Sequence, residues 1–219
     1  MKKMKAALLY NKRDIRVHDV AIPEIDKYEI LVQTGSAAVC GTDVRMYNNG
    51  YTNINEKNPL ILGHELSGTV VKIGNEIRGL KEGTRVAIAP NMGCGMCDMC
   101  VSGNTHLCSK YRAFGINIHG GFAEYLKIPQ EAISQGNIVE IPENVSFQEA
   151  ALAEPLSCVY NAFERAEIRL GDDILILGTG PIGLMHAMMA KRGGASKVIL
   201  ADLSEERLEF AKSMDDSYM

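Results

Sequence analysis

The rhythm of apolar and polar positions changes near residue 146. Before it, apolar runs are short and broken by Gly and Pro. Residues 28–38 carry Ile30, Val32 and Thr34 in partial alternation, and residues 66–73, 85–89 and 122–128 show similar runs. Such segments predict strands. Many short strands joined by turns predict a partly open β-barrel. The residues up to Tyr10 predict one more strand, at the start of the chain. Their positive beginning imitates a signal peptide. The apolar stretch is too short for one, and Asn11-Lys12-Arg13-Asp14 ends it, so a cytoplasmic protein is expected.

After residue 146 the pattern turns helical. Ser146-Phe147-Gln148-Glu149 fits a capping box, with Glu149 reaching back to the cap. The helix is expected to run to Glu154, where Pro155 ends or kinks it, with a second helix over residues 156–166. Residues 173–177 form a short, wholly apolar strand, 178–183 a turn, 182–192 a helix and 197–201 another apolar strand. Ser204 caps a last helix to about Lys212. Strand, helix, strand in this order is a βαβ unit with buried parallel strands. Residues 213–219 are polar and patternless. A doubly wound nucleotide domain has about six parallel strands, and the pattern here supplies two.

The chain has 219 residues, 46% hydrophobic and 23% charged, enough to build a core and too apolar for wholesale disorder. Lys plus Arg number 23 and Asp plus Glu 27, a net charge of −4. No basic footprint recommends a nucleic-acid partner. No apolar run approaches the roughly 20 residues of a membrane span. In a reducing compartment the six cysteines are expected as thiols rather than disulfides. Four of them lie between positions 94 and 108, a clustering that asks for a metal.

Those four read Cys94-x2-Cys97-x2-Cys100-x7-Cys108. Four thiolates close a tetrahedral shell around zinc and leave no open position, so such a site pins a loop. An iron–sulfur cluster is the rival, but its bacterial pattern ends x3-Cys-Pro, whereas here the gap is seven and Ser109 follows. Free or oxidised thiols are the remaining reading. A second signal is Cys40-Gly41-Thr42-Asp43 with Gly63-His64-Glu65 further on. One Cys, one His and a carboxylate make a mixed zinc set with room for water or substrate. A lone Cys is also a small core residue and a lone His a satisfied polar group, and spacing does not separate these readings. A third is Gly178-Thr179-Gly180-Pro181-Ile182-Gly183, after an apolar strand and opening a helix, with Asp202 nineteen residues beyond. The first glycine makes the turn, the second admits a pyrophosphate and the third lets helix and strand pack. Asp202 would accept bonds from a ribose 2′-hydroxyl and repel a 2′-phosphate, which favours NAD over NADP.

With Gly120-Gly121-Phe122-Ala123-Glu124-Tyr125 and Glu154-Pro155-Leu156-Ser157, these motifs resemble the zinc-dependent medium-chain alcohol dehydrogenase family, in its sorbitol (polyol) and threonine dehydrogenase branch. The resemblance implies a fold of class α/β plus β. Residues 1–153 would be a GroES-like catalytic domain, and 154–219 the first part of a Rossmann NAD-binding domain. It implies that Cys40, His64 and Glu154 sit at or beside a catalytic zinc, with Glu65 a further or exchange ligand and Thr42 passing the substrate proton. Cys94, Cys97, Cys100 and Cys108 would hold a structural zinc. Gly178, Gly180, Ile182, Gly183, Asp202 and Arg207 match nucleotide contacts. Hydride would pass from a small alcohol or polyol to NAD, in an enzyme whose full-length members are homo-oligomers. Without the family, Glu154 reads as a helix-surface carboxylate. Cys158 is expected in core packing, and as the spare candidate for a third thiolate; His18, His106, His119 and His186 read as ordinary residues. Arg45 stands where many polyol and threonine enzymes have a histidine, and Met46 where the sorbitol branch has a tyrosine. Two other outcomes are compatible with the motifs: a truncated, inactive fragment that keeps zinc and leaves residues 174–177 and 198–200 without cover, and a zinc-binding interaction module.

Overall fold

The computed structural model describes residues 2–219; Met1, assigned from the sequence to the first strand, lies outside the described residues. The chain divides after Glu154 into two compact units, the second being Pro155–Met219.

The first unit opens with β1 (Lys3–Asn11), β2 (Asp14–Ala21), β3 (Ile30–Ala38), α1 (Gly41–Asn49), β4 (Leu60–Ile61), β5 (Glu65–Ile73) and β6 (Arg85–Ile88). It continues through β7 (Asn91–Met92), α2 (Asp98–Val101), β8 (Arg112–Ala113), β9 (Tyr125–Ile128), α3 (Gln130–Ser134), β10 (Ile138–Glu140) and α4 (Phe147–Ala151). Five antiparallel strands pair in the order β10-β6-β5-β3-β9, and three in the order β2-β1-β4. An isolated Ala6–Ala123 bridge ties β1 to the segment leading into β9. The core is the inward set of alternate residues predicted by a period of two: Ile30 and Val32, Leu66 and Val70, Val86 and Ile88, Leu126 and Ile128. This is the partly open barrel expected.

Of the elements the pattern did not predict, β2 and α1 are the longest. β2 is exposed along most of its length and has no apolar face to announce it. Its hairpin with β1 turns at Arg13, whose φ is 59°. In α1 only Asp43 and Met46 are buried, so no apolar stripe marks a helix.

One boundary is corrected. Ser146 does cap α4, its hydroxyl accepting from the Glu149 amide. Pro155 does not end that helix. Leu152 closes α4, and α5 (Ala153–Arg165) starts with Pro155 in its first turn, where a missing N–H costs nothing.

The second unit holds the rest of α5, β11 (Asp173–Leu177), α6 (Pro181–Arg192), β12 (Lys197–Ala201) and α7 (Glu205–Met214). β11 and β12 pair in parallel, Asp173 opposite Lys197 through Leu177 opposite Ala201. Ile176, Val198 and Leu200 pack with Ala187 and Ala190 of α6 and Ala211 of α7. Leu175 and Leu177 are 60% and 79% exposed, so β11 is buried on one face rather than both. The terminal residues are more structured than their composition suggested. Tyr218 is buried in this core. Met219 lies along β12, its amide donating to Val198 O at 3.0 Å and its carbonyl accepting from Leu200 N at 2.8 Å. Cys158 is exposed, a correction to its expected core packing: it falls on an outward face of α5.

Candidate metal centres and nucleotide loop

Strand register brings the first set of residues together. Ala38 at the end of β3 pairs with Glu65 at the start of β5, so Cys40 emerges beside His64 and Glu65. The ligand atoms of Cys40, His64 and Glu65 all lie within 4.8 Å of one another. His64 and Glu65 are buried and Cys40 half-buried.

The approach to His64 is built from backbone. Gly120 N, Gly121 N and Phe122 N donate to Ile61 O, Gly63 O and Leu62 O at 2.8, 2.9 and 3.0 Å. Gly63 has φ 91°, and a Cβ there would strike the Phe122 ring at 2.6 Å. The Gly120-Gly121-Phe122 motif is thus the strap that holds the segment carrying His64, a role its sequence did not disclose.

Asp43 is the residue the sequence quoted without a task. It is 3% exposed. Its Oδ2 accepts from Cys40 N at 2.9 Å and its Oδ1 from Gly63 N at 3.2 Å. The same Oδ1 stands 3.7 Å from His64 Nδ1, a buried nitrogen without a hydrogen-bond partner. One carboxylate therefore fixes the backbone at both ends of the set and faces the imidazole.

Thr42 donates to the Cys40 sulfur through both its amide and its hydroxyl. Burial nevertheless pushes the Cys40 thiol up, and Glu65 adds to the rise. Glu154, in the first turn of α5, stands outside the 4.8 Å set, yet its carboxyl senses the charges of His64 and Glu65. Burial raises its pKa as well. It is brought there because Ser67 Oγ donates to Phe147 O at 2.6 Å and Arg85 Nη2 to Val145 O at 2.5 Å, docking α4 on β5 and β6. A buried carboxyl and a half-buried one, a thiol and an imidazole with an orphaned nitrogen gather in one place. That donor set suits a divalent cation, which offsets the repulsion among the anionic forms.

The four-cysteine lobe is tighter. Cys97 Sγ lies 3.6 Å from Cys100 Sγ and 3.8 Å from Cys108 Sγ, and Cys94 Sγ 4.0 Å from Cys100 Sγ. An ion with metal–sulfur bonds of about 2.3 Å in a tetrahedron separates its sulfurs by about 3.8 Å. A disulfide needs about 2.05 Å, and all six cysteines are unbridged. The four thiols thus fit one tetrahedral ion and crowd too closely around one point for a cluster of several atoms. The amides of Met96 and Cys97 pull Cys94 down to about 6. Those of Cys94 and Lys110 pull Cys108 down. The lobe's root is held by Gln135, whose side chain accepts from Gly93 N at 3.1 Å and donates to Gly93 O at 2.9 Å. A Cβ on Gly93 would meet Cys100 Sγ at 2.5 Å, so only glycine allows that approach.

In the second unit the three loop glycines occupy different environments. Gly178 turns the chain at φ 96°. Gly180 caps α6, and a Cβ there would meet open space. A Cβ on Gly183 would collide with the Gly178 carbonyl oxygen. Ile182 is exposed beside them. Asp202, just beyond β12, grips this loop: its Oδ2 accepts from Thr179 N at 2.7 Å and Thr179 Oγ1 at 3.0 Å, and its Oδ1 from Ser204 N at 3.0 Å. Those bonds, led by the Thr179 amide, hold its carboxyl at about 2. Arg207 Nη1 lies 3.7 Å from Asp202 Oδ2, and both line an open cleft of about 730 Å3 with Ser204, Glu206 and Phe210.

A thiol–imidazole–carboxylate set in a partly open barrel, a second all-thiol lobe and a glycine loop opening a parallel βαβ unit together form the layout of the metal-dependent dehydrogenase class. The chain belongs to the alcohol dehydrogenase GroES-like domain family, whose pattern it matches over residues 26–143. It is 36% identical over 218 residues to a sorbitol dehydrogenase of Bacillus subtilis, covering 99% of this chain and 60% of that protein. It is 38% identical over 213 residues to an L-threonine 3-dehydrogenase of Escherichia coli, covering 96% and 61%. Its fold is similar to that of a protein from Sinorhizobium meliloti 1021 described as a zinc-binding dehydrogenase and bound to NADP. The TM-score is 0.89 at 33% identity, over 100% of this chain and 61% of that one. The chain therefore spans about three-fifths of the length of these relatives.

Proposed function

We propose that the chain carries the zinc-binding catalytic domain and nucleotide loop of an NAD-dependent polyol or secondary-alcohol dehydrogenase. The observation that carries this reading is the convergence of Cys40, His64 and Glu65 within 4.8 Å, with the Thr42 hydroxyl on the Cys40 sulfur. Cys40, His64, Glu65 and Glu154 would hold a catalytic zinc, and Cys94, Cys97, Cys100 and Cys108 a structural one. When bound, zinc supplies the charge that acidifies an alcohol hydroxyl and NAD supplies the hydride acceptor.

The chain's own residues set the stage for that chemistry. Asp43 orients Cys40 and His64 through the bonds described above. Thr42 holds a hydroxyl at the site and relays the substrate proton outward. Gly178, Gly180 and Gly183 let a dinucleotide approach the start of α6, beside Ile182. Asp202, ionised over the physiological range, and Arg207 line the ribose side; the carboxylate supports NAD over NADP. We place the protein in the cytoplasm, a reading supported by six unbridged cysteines. Among the described residues no helix is long and apolar enough to cross a membrane. The longer family enzyme is proposed to act as a homo-oligomer on a small alcohol or polyol, with no nucleic-acid partner.

Exposed Leu175 and Leu177, on the sheet carrying the nucleotide loop, favour a second reading: a chain that keeps zinc but turns over no alcohol. Native mass spectrometry of the purified chain, followed by NADH titration and alcohol-dependent NAD reduction, separates the two. Two zincs per chain with turnover support the enzyme. Two zincs without turnover support the second reading, and one zinc or none overturns the catalytic site itself.

A further inference from the structure

Strand β5 carries one residue of the metal-ligand set and, two positions on, a buried hydroxyl. Side chains alternate along a strand, so Glu65 and Ser67 share one face of β5, while Leu66 and Val70 fill the barrel core from the other. Ser67 is 0% exposed and lies opposite Ser36 of β3. Helix α4 packs on β3, β5 and β6. Its buried residues, Ala150 and Ala151, are small enough to let it lie close.

Three fastenings meet at Phe147, the first residue of α4. Its carbonyl accepts from the Ser67 hydroxyl at 2.6 Å. Its ring occupies space left by Gly35, where a Cβ would stand 2.7 Å from the ring. Gly35 has no left-handed φ, so room for the ring is what calls for glycine there. Arg85 lies over the same ring, its guanidinium carbon 4.7 Å from the centroid, and also donates to Val145 O at 2.5 Å.

From Phe147 to Glu154 the chain offers little slack. Residues 147–151 are helical, Leu152 closes α4, and α5 begins at Ala153. No glycine lies in this segment, and Ala150, Ala151 and Ala153 are of the strongest helix-forming type. The segment is a stiff arm, pinned at Phe147. It ends at a half-buried carboxyl that the charges of His64 and Glu65 reach.

We propose that Ser67, together with Gly35 and Arg85, is a positioning device: by fixing Phe147 it sets Glu154 against the metal-ligand set of Cys40, His64 and Glu65. One strand then supplies a ligand directly and, through Ser67, meters the approach of another. The proposal rests on the functional reading above and extends it to residues outside the ligand set.

The test is a double-mutant cycle on zinc affinity in the full chain, read by competition with a chromophoric chelator. Native mass spectrometry counts the metals, and circular dichroism follows folding. Ser67→Ala is expected to weaken the zinc at Cys40 and His64 about tenfold, the lower end of the loss when a group that orients a ligand is removed. The zinc of the four cysteines stays in place. Arg85→Gln, a milder change at a half-buried position, is expected to weaken the first zinc about threefold. In a Glu154→Gln background both losses shrink to within about twofold, because the anchor acts through that carboxyl. General damage to the barrel would persist in that background. Zinc binding that is unchanged or tighter in both single variants, losses that persist beside Glu154→Gln, or undiminished affinity in Glu154→Gln alone overturns the proposal. If Ser67→Ala does not fold, the Arg85→Gln arm of the cycle decides. A parent chain holding only the four-cysteine zinc overturns the functional reading and this proposal with it. A parent holding two zincs, with additive losses, overturns this proposal alone.

Discussion

Replacing Asp43 tests whether one buried carboxylate holds the catalytic set together. In Asp43→Ala two hydrogen bonds to a charged group disappear, those from Cys40 N and Gly63 N. Bonds of that kind contribute about 1.5–3 kcal/mol each, so the loss is about 3–6 kcal/mol. The site is 3% exposed, so water does not replace the lost acceptor without entering the barrel. Against a domain stability of about 5–15 kcal/mol this is a large fraction. With a urea slope of about 1–3 kcal/mol per molar, the first unit's unfolding midpoint falls by at least about 1 M. Asp43→Asn keeps one acceptor and turns an amide donor toward the other, so it lies between parent and alanine variant. Zinc affinity, followed by competition with a chromophoric chelator, should fall about 10–100-fold, the cost of losing a residue that orients a ligand. The assay pairs urea denaturation by circular dichroism with that competition. An alanine variant within about 0.5 kcal/mol of the parent, the range of an inert surface change, and with undiminished zinc affinity would refute the reasoning.

Gly183→Ala and Gly180→Ala should separate folding from cofactor approach. The first forces a methyl into the Gly178 carbonyl oxygen and destabilises the second unit. The second meets open space, leaves thermal unfolding nearly unchanged and weakens NADH binding in a fluorescence titration. Cys97→Ser, which removes a sulfur 3.6 Å from that of Cys100 and 3.8 Å from that of Cys108, should lower the zinc count in native mass spectrometry by one and leave the other metal in place. Acid should loosen the second unit. Lys191 and Ser217 hold the Asp215 carboxyl at about 2, below its ordinary 3.8. A depressed folded-state pKa contributes stability that is present above about 3.8 and lost as pH falls through about 2. The Asp215→Asn variant should therefore be less stable than the parent near neutrality and converge on it in denaturation curves recorded down to pH 2.

What the sequence disclosed follows from how local each signal is. Cys94 to Cys108 span one short loop, so spacing alone foretold that four thiols would converge. The glycine loop sits between two adjacent apolar elements and was legible for the same reason. Cys40 and His64 are different: their meeting depends on Ala38 pairing with Glu65, a register that no short window contains. Asp43 is likewise silent, since its partners lie at Cys40 and at Gly63, twenty residues away. β2 carries no buried stripe to read. Pro155 misled because a helix breaker in mid-pattern is also a good first-turn residue, and only the closure of α4 at Leu152 decides between these roles. Tyr218 looked like part of a polar tail because its burial comes from a long-range partner, β12, and not from periodicity.

The contrast between buried and exposed positions on α1 bears on how such a protein can change over generations. Asp43 and Met46 are buried, and substitutions there are felt by the barrel and the metal ligands at once. Arg45 and Asn49 are exposed on the same nine-residue helix, where most replacements alter stability by no more than about 0.5 kcal/mol. A lineage can therefore exchange Arg45 or Asn49, cation for neutral or small for large, while the buried Asp43 keeps its hold on Cys40 and Gly63. Surface character and the support of the metal-ligand set become separately heritable traits carried by nearby positions of one short helix.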